Sequence, residues 1–427
     1  MTGRDTIFAL SSGRPPAAVS VIRISGPAAH AAAIAMVGSL PQPRSAALRR
    51  LRHPQTAELI DEALILRFDS PSSSTGENIV EFQCHGGRAV VDSLLSVLAD
   101  IDGLRPAAPG EFTQRAFENG RIDLTEAEGL ADLIEAETES QRKAALALAE
   151  GGLRRQIASW QERVLGLSAQ AERAIDYDED DEVVDPALGR GCMLLAAELR
   201  EWLARPRIEP LKGGVKVVVA GPPNSGKSSL INAIVGEDRV IVTDSPGTTR
   251  DHIEIPLSLG GVPIVLTDTA GLRETEDQAE AIGVNRAERL IEVADVLAWL
   301  GDPSTTPRHL RHVVVRSKCD LPAEADYPEG SIAVSSVTGE GLRALLGRIE
   351  ELARSILPAD DSLALNRRQA MHIGEAADAL EGAAGSPDLV LLAEGLRMAR
   401  AAFDRLTGRA GVEEVLDALF ARFCLGK

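Results

Sequence analysis

The stretch KVVVAGPPNSGKSSLINAI, residues 216–234, decides the fold of the central part of the chain. Lys216-Val217-Val218-Val219-Ala220 is an apolar run of the length of a buried strand. It leads directly into Gly221-Pro222-Pro223-Asn224-Ser225-Gly226-Lys227-Ser228, after which Leu230, Ile231, Ala233 and Ile234 recur at helical spacing. Strand, glycine-rich loop and helix in that order are the setting a P-loop requires, and a chance glycine turn would not supply it. The loop's glycines let the main chain wrap closely around phosphate, while successive N–H groups and the helix N-terminus supply partial positive charge. Lys227 is placed to reach the β- and γ-phosphates and Ser228 to ligate Mg²⁺. Asn224, Ser225, Gly226 and Ser229 complete the phosphate end of the candidate nucleotide site.

Three further segments downstream belong to the same chemistry. Asp268-Thr269-Ala270-Gly271 follows the apolar run 262–267, where a carboxylate can hold the metal through water and a glycine can sense the γ-phosphate. Between that segment and the P-loop lies Gly247-Thr248-Thr249-Arg250-Asp251, in which Thr249 is the candidate to close on Mg²⁺ when the γ-phosphate is present. Ser317-Lys318-Cys319-Asp320 follows the strand-like run 312–315 at the place of a guanine-recognising Asn-Lys-x-Asp. Asp320 can accept from guanine N1–H and N2–H₂, a donor pair that adenine lacks, whereas the short Ser317 side chain stands where an amide is usual. Ser335-Ser336-Val337, after the strand-like run 331–334, is placed to offer a main-chain N–H to the base. The set reads as a site for GTP, not ATP. Leu272 fills the position at which Ras-type GTPases orient the attacking water with Gln, so another group must do so. Glu280, in the polar stretch Arg273 to Glu280, is the best local candidate.

Outward from this centre the pattern changes twice. Residues 212–358 alternate strand and helix signals, as in a parallel-sheet domain, and helical spacing prevails on both sides, from 124 to about 203 and again after 361. Leu153, Ile157, Trp160 and Val164 mark one such face. Residues 1–118 mix β-rich runs at 19–24, 63–68 and 79–84 with helical runs near 27–37 and 89–99, which predicts an α+β domain. The expectation is an α/β domain inserted into an α-helical one, with domains at 1–118, 119–211, 212–358 and 359–427.

Composition narrows the partners. The chain has 427 residues, 44% hydrophobic and 26% charged, which excludes global disorder. Its net charge of −19, from 45 Lys+Arg against 64 Asp+Glu, repels phosphate backbones at long range, so a nucleic-acid partner must meet a local basic patch. The acidic run 176–182 reads as a solvated loop. Cys84, Cys192, Cys319 and Cys424 form no CxxC pair, which argues against a disulfide framework or structural zinc. No apolar run approaches the roughly 18 residues of a membrane span, and the opening MTGRDTIFAL is unlike a signal peptide. A cytoplasmic location with no membrane partner is the expectation.

The segments GPPNSGKSSL, TDSPGTTRD and DTAGLRE, the N-terminal DTIFAL and VIRISGP, the central STGENIVEFQCHGG and PGEFTQRAFENGRIDLTEAE, and the terminal FCLGK can be taken together. With them the chain resembles the tRNA modification GTPase MnmE (TrmE) family. The GTPase motifs alone suit several Era-like families, but the other blocks are far more specific.

The resemblance implies an α+β N-terminal domain that is folate-binding-like and homodimerises, an α-helical domain and an inserted Ras-like P-loop G domain. It implies action with an FAD-dependent MnmG-type protein, in a heterotetramer or larger complex, to place an aminomethyl or carboxymethylaminomethyl group on the wobble uridine of certain tRNAs. The one-carbon unit would come from a tetrahydrofolate derivative, in the 5-formyl or 5,10-methylene form. It further implies a K⁺ ion beside the phosphates, lined by Asn224, Thr243, Ser245 and Thr248, with Glu280 as the residue that orients water. For the folate, the matching positions are Arg23, Glu81, Arg121 and Lys427. The rival reading is an Era-like ribosome-assembly GTPase, although the GxxG clamp of a KH module has no clear counterpart here.

Overall fold

The computed structural model describes residues 5–177, 186–237, 240–242, 254–268, 288–322, 327–359, 363–410, 413–421, 423 and 426. The chain divides into two units, Met1–Ala131 with Asp404–Lys427, and Asp132–Phe403.

The first unit is built on a six-stranded sheet of β1 (Thr6–Leu10), β2 (Val19–Ser25), β3 (Ala46–Arg52), β4 (Leu59–Phe68), β5 (Ile79–His85) and β6 (Leu104–Pro106). Their order is β3-β4-β5-β2-β1-β6, antiparallel except for the β1–β6 pair. Helices α1 (Ala29–Val37) and α2 (Arg88–Ala99) pack on the sheet. Alternation along β2 shows why: Ser20, Ile22 and Ile24 are buried, whereas Val21 and Arg23 point to the other face. Ile22, Ile24, Ile65 and Phe82 meet Leu94 and Leu98 of α2 in one core, and each such fully buried side chain contributes about 1.5–3 kcal/mol. The strands expected at 19–24, 63–68 and 79–84 are present and slightly longer, and β1, β3 and β6 are additional. Next come α3 (Glu111–Glu118) and α4 (Leu124–Glu135).

The second unit joins helices to a seven-stranded sheet. Helices α5 (Glu139–Ala149), α6 (Gly152–Tyr177), α7 (Pro186–Ala204) and α8 (Glu209–Gly213) precede the strands. The strands are β7 (Val215–Ala220), β8 (Val240–Val242), β9 (Glu254–Leu259), β10 (Val262–Asp268), β11 (Val296–Trp299), β12 (His312–Ser317) and β13 (Ile332–Val334). Their order is β13-β12-β11-β7-β10-β9-β8, the first five parallel, with β9 antiparallel to both β10 and β8. Val217, Val218 and Val219 are all buried, as a central parallel strand covered on both faces requires. Helix α9 (Lys227–Val235) follows β7, and α10 (Leu342–Arg354) closes the sheet. The chain returns to helix with α11 (Arg367–Ala384) and α12 (Leu389–Thr407), and α13 (Glu413–Phe420) lies in the first unit, where Phe420 meets Phe117 at 6.4 Å between ring centres.

The helical face read from the sequence is the core of this second unit. Leu153, Ile157, Trp160 and Val164 are fully buried. Trp160 packs edge-on against Trp202 at 5.3 Å and stacks on Phe403 at 5.9 Å, while its indole N–H donates to Glu198 at 2.8 Å. Helix α7 packs along α11, so segments on both sides of the sheet share one helical layer. Helix α5 meets the sheet at the β9–β10 turn, where Ser140 N donates to Gly261 O at 3.3 Å, and Arg354 of α10 donates from Nη2 to Gly260 O at 2.6 Å on the same turn.

Candidate functional site

The P-loop turns out of β7 at Gly221, where a Cβ would sit 2.8 Å from the Leu300 carbonyl oxygen, so only glycine allows the chain past β11. Asn224 has a positive φ of 61°, a conformation uncommon outside glycine but tolerated by asparagine. Lys227 is buried and its ammonium donates to the carbonyls of Gly221 and Pro222 at 2.9 Å each, which curls it along the inside of the loop. Burial lowers its pKa, and the nearby Asp268 carboxylate opposes that shift. Ser228, in the first turn of α9, donates from Oγ to Asp268 Oδ2 at 2.9 Å. Asp268 ends β10, in register with Val219 of β7, which brings its carboxylate to the P-loop at the C-terminal edge of the sheet. Ligands of open α/β sheets bind at that edge. The two oxygens are hard donors of the kind Mg²⁺ takes, so Ser228 and Asp268 fit the metal expected there.

At the base end, a cavity of about 580 Å³ is lined by residues including Gly226, Ser229, Ser317, Lys318, Asp320 and Ser336. The Ser317 hydroxyl reaches the main chain of the P-loop, donating to Ser225 O at 2.7 Å, and Lys318 Nζ donates to Asn224 O at 3.0 Å. Thus the Ser317-Lys318 pair braces the phosphate loop while Asp320 faces the same cavity. Ser335 is fully buried and its Oγ accepts from Val337 N at 3.3 Å and Thr338 N at 3.2 Å, which shapes the turn. The Val337 side chain itself is exposed. The brace from Ser317 and the turn-forming role of Ser335 were not read from the sequence, because a serine carries no sign of which carbonyl or N–H it will meet.

Thr243, Ser245, Thr248, Thr249, Thr269, Ala270, Gly271 and Glu280 lie outside the described residues, as do Cys424 and Lys427.

A second pocket lies in the first unit. About 420 Å³ in volume, it is lined by Arg23, Ser73, Thr75, Phe112, Arg121 and Leu130, among others. Arg23 and Glu81 face each other across β2 and β5, and the guanidinium meets Glu81 Oε1 from Nε at 2.9 Å and from Nη2 at 2.8 Å. The guanidinium also lies 5.6 Å from the centre of the Phe112 ring. Arg121 is brought to the same pocket, whereas Glu81 reaches it only through Arg23. The Arg121 guanidinium, the Arg23–Glu81 pair and the Phe112 ring fit a flat heterocycle with an acidic tail.

Behind that pocket is an ionic network that sequence reading missed. Arg115 is buried and donates to Glu77 Oε2 at 3.1 Å, to Glu111 Oε1 at 3.0 Å and to the Asp5 carbonyl at 2.8 Å. Glu111 also receives Arg105 at 2.7 and 2.8 Å and Ala108 N at 2.9 Å. Burial alone would raise the Glu111 pKa, but the Arg105 hydrogen bonds, the Ala108 N–H and Arg115 outweigh it and bring the pKa to about 2. Glu77 takes the Ser25 hydroxyl at 2.8 Å as well, so the network ties the 73–77 loop to α3, the two walls of the pocket. The available signal was Glu111 and Arg115 at i,i+4 in GEFTQR.

Residues 124–424 match the model of the MnmE helical domain, and residues 6–121 match that of the GTP-binding protein TrmE N-terminus. The tRNA modification GTPase MnmE of Erythrobacter litoralis (strain HTCC2594) is 49% identical over 426 residues, spanning 99% of this chain and 100% of its own. The proteins of that name from Novosphingobium aromaticivorans and Zymomonas mobilis subsp. mobilis are 47% and 48% identical, each over 99% of this chain and 100% of theirs. Among solved structures, the G domain of the T. maritima FeoB iron transporter covers 33% of this chain and 98% of its own at 28% identity, with a TM-score of 0.23, too low to bear on the fold.

Proposed function

This chain belongs to the tRNA modification GTPase MnmE family, and from that premise we propose that it is a K⁺-stimulated GTPase acting on the wobble uridine of tRNA. It is a GTP hydrolase of tRNA modification. The observation that carries the nucleotide reading is the convergence of Lys227, the Ser228–Asp268 pair and the Ser317–Asp320 segment around one loop.

In the reaction, water attacks the γ-phosphorus of GTP and GDP leaves. Lys227 leaves its loop carbonyls for the β- and γ-phosphate oxygens, Ser228, Thr249 and Asp268 would hold Mg²⁺, which would offset charge on the phosphates, and Glu280 orients the water. Thr269, Ala270 and Gly271 follow the γ-phosphate, and Asp320 with the main chain of Ser335, Ser336 and Val337 selects guanine. Asn224, Thr243, Ser245 and Thr248 are the oxygen donors for K⁺. Bound there, K⁺ supplies the positive charge that an arginine finger supplies elsewhere.

The domains assigned are 1–118, for tetrahydrofolate binding and homodimerisation, 119–211 and 359–427, helical, and 212–358, the G domain. The second pocket, with Arg23, Glu81, Arg121 and Lys427, is the site assigned to the 5-formyl or 5,10-methylene tetrahydrofolate. The (carboxymethyl)aminomethyl group forms at C5 of the uridine together with an FAD-dependent MnmG partner. No helix among the described residues is long and apolar enough to cross a membrane, and a cytoplasmic location is part of the proposal.

Two measurements test it. GTP turnover in KCl should exceed turnover in NaCl, and equal rates would remove the potassium step. Mass analysis of wobble nucleosides should show the modification lost when the gene is deleted and restored by its return, and unaltered nucleosides in the deletion strain would sink the tRNA reading.

A further inference from the structure

Although the chain carries a net charge of −19, residues 6–57 contain no Asp or Glu and six arginines. Four of these, Arg44, Arg49, Arg50 and Arg52, lie on or just before β3, which forms one edge of the six-stranded sheet. Arg44, Arg50 and Arg52 are exposed and Arg49 is half-buried.

What these side chains touch is informative. Arg44 Nη2 donates to Ser72 O at 2.7 Å, Arg49 Nη1 to Leu48 O at 2.9 Å and Arg52 Nη1 to Ala57 O at 2.9 Å. These acceptors are neutral carbonyls, so they orient the guanidinium groups without cancelling their charge. Among the described residues, the carboxylate contact of these four is Arg50 to Glu62 at 3.7 Å, with both side chains more than half exposed, and such pairs contribute little. Arg50 and Arg52 share a face about 7 Å apart along the strand, a distance that neighbouring phosphates of one RNA strand can bridge.

Charged residues on an edge strand also discourage sheet-to-sheet pairing. That purpose is served by either sign of charge, so it does not account for the exclusion of carboxylates from the whole segment. Nor does it account for the choice of arginine, whose planar fork matches a phosphate.

We propose that Arg50 and Arg52, on one face of edge strand β3, with Arg44 just before the strand and the half-buried Arg49 on its other face, form the surface that holds the sugar–phosphate backbone of tRNA. The inference rests on the tRNA-modification reading above and adds to it the residues that meet the RNA. Contacts of this kind read no sequence. They position the nucleic acid and make binding salt-dependent.

The test uses the full chain with GDP bound and fluorescent tRNA transcripts of two sequences, titrated across a NaCl series. Arg50→Gln/Arg52→Gln should weaken binding of both transcripts alike, by about tenfold, and lower the slope of log K against log[NaCl] by about 2. Arg44→Gln/Arg49→Gln should do the same. GTP turnover without tRNA and thermal unfolding of the Arg50→Gln/Arg52→Gln protein should match the wild type. Unchanged tRNA affinity and slope in both variants would overturn the proposal, as would variants that keep tRNA but lose association with an acidic partner protein. A wild-type chain that restores wobble modification in the deletion strain yet binds no tRNA would also overturn it, leaving the functional reading intact. Failure of the wild type both to bind tRNA and to alter wobble nucleosides would remove that reading as well.

Discussion

The Ser228 hydroxyl donates to Asp268 Oδ2 at 2.9 Å, joining the first turn of α9 to the end of β10. The contact keeps two metal-seeking oxygens together. Ser228→Ala removes one of them and takes the hydroxyl donor from Asp268 Oδ2. GTP turnover should fall on the order of 10²–10³-fold, the usual cost of one missing group that stabilises transition-state charge. A magnesium titration of turnover checks this, since the variant should no longer saturate in the range of the wild type.

Ser317 supports the P-loop through its bond to Ser225 O. Ser317→Ala should therefore weaken GDP and GTP alike by about 0.5–1.5 kcal/mol, the net contribution of one hydrogen bond. Isothermal titration would show it. Asp320→Asn should instead change which base is accepted, raising affinity for xanthosine nucleotides while that for guanosine nucleotides falls.

In the first unit, acid should act through Glu111. Its folded pKa of about 2 lies below the ordinary carboxylate value of 4.5, so its contribution to stability is full above pH 4.5 and is lost as pH falls toward 2. Glu111→Gln should flatten that part of the stability curve. It should also cost about 3–5 kcal/mol at neutral pH, because Arg115 and Arg105 lose a buried partner. Chemical denaturation at pH 7 and pH 3, followed by circular dichroism, separates the two effects.

Trp160 is fully buried against Trp202 and Phe403 and also satisfies Glu198. Trp160→Ala should destabilise the second unit by about 3–5 kcal/mol. Trp160→Phe should cost less in volume but still leave Glu198 without the indole N–H, an ordering that urea titrations would establish.

The nucleotide site was legible because its chemistry is local. Strand, loop and helix are contiguous, so Gly221 to Ser228 declare their geometry within a few positions. The helical core was legible through the spacing of Leu153, Ile157, Trp160 and Val164. Long-range pairings were not. Nothing in Arg115 announces that it will meet Glu77, or in Ser317 that it will meet Ser225, since each depends on elements far apart in the chain. Strand β3 escaped notice because arginines and leucines share it, so the alternation marking a half-buried strand is blurred.

The Ser11 hydroxyl donates to the carbonyl of Gly426 at 2.7 Å, across 415 positions of sequence, and a Cβ on Gly426 would come within 2.1 Å of Leu10 O. The residues just after β1 are thus closed over by a glycine more than four hundred positions away, with the whole seven-stranded sheet threaded between them. Even an alanine at 426 would press its methyl group into the Leu10 carbonyl, so a change there would be felt beside β1.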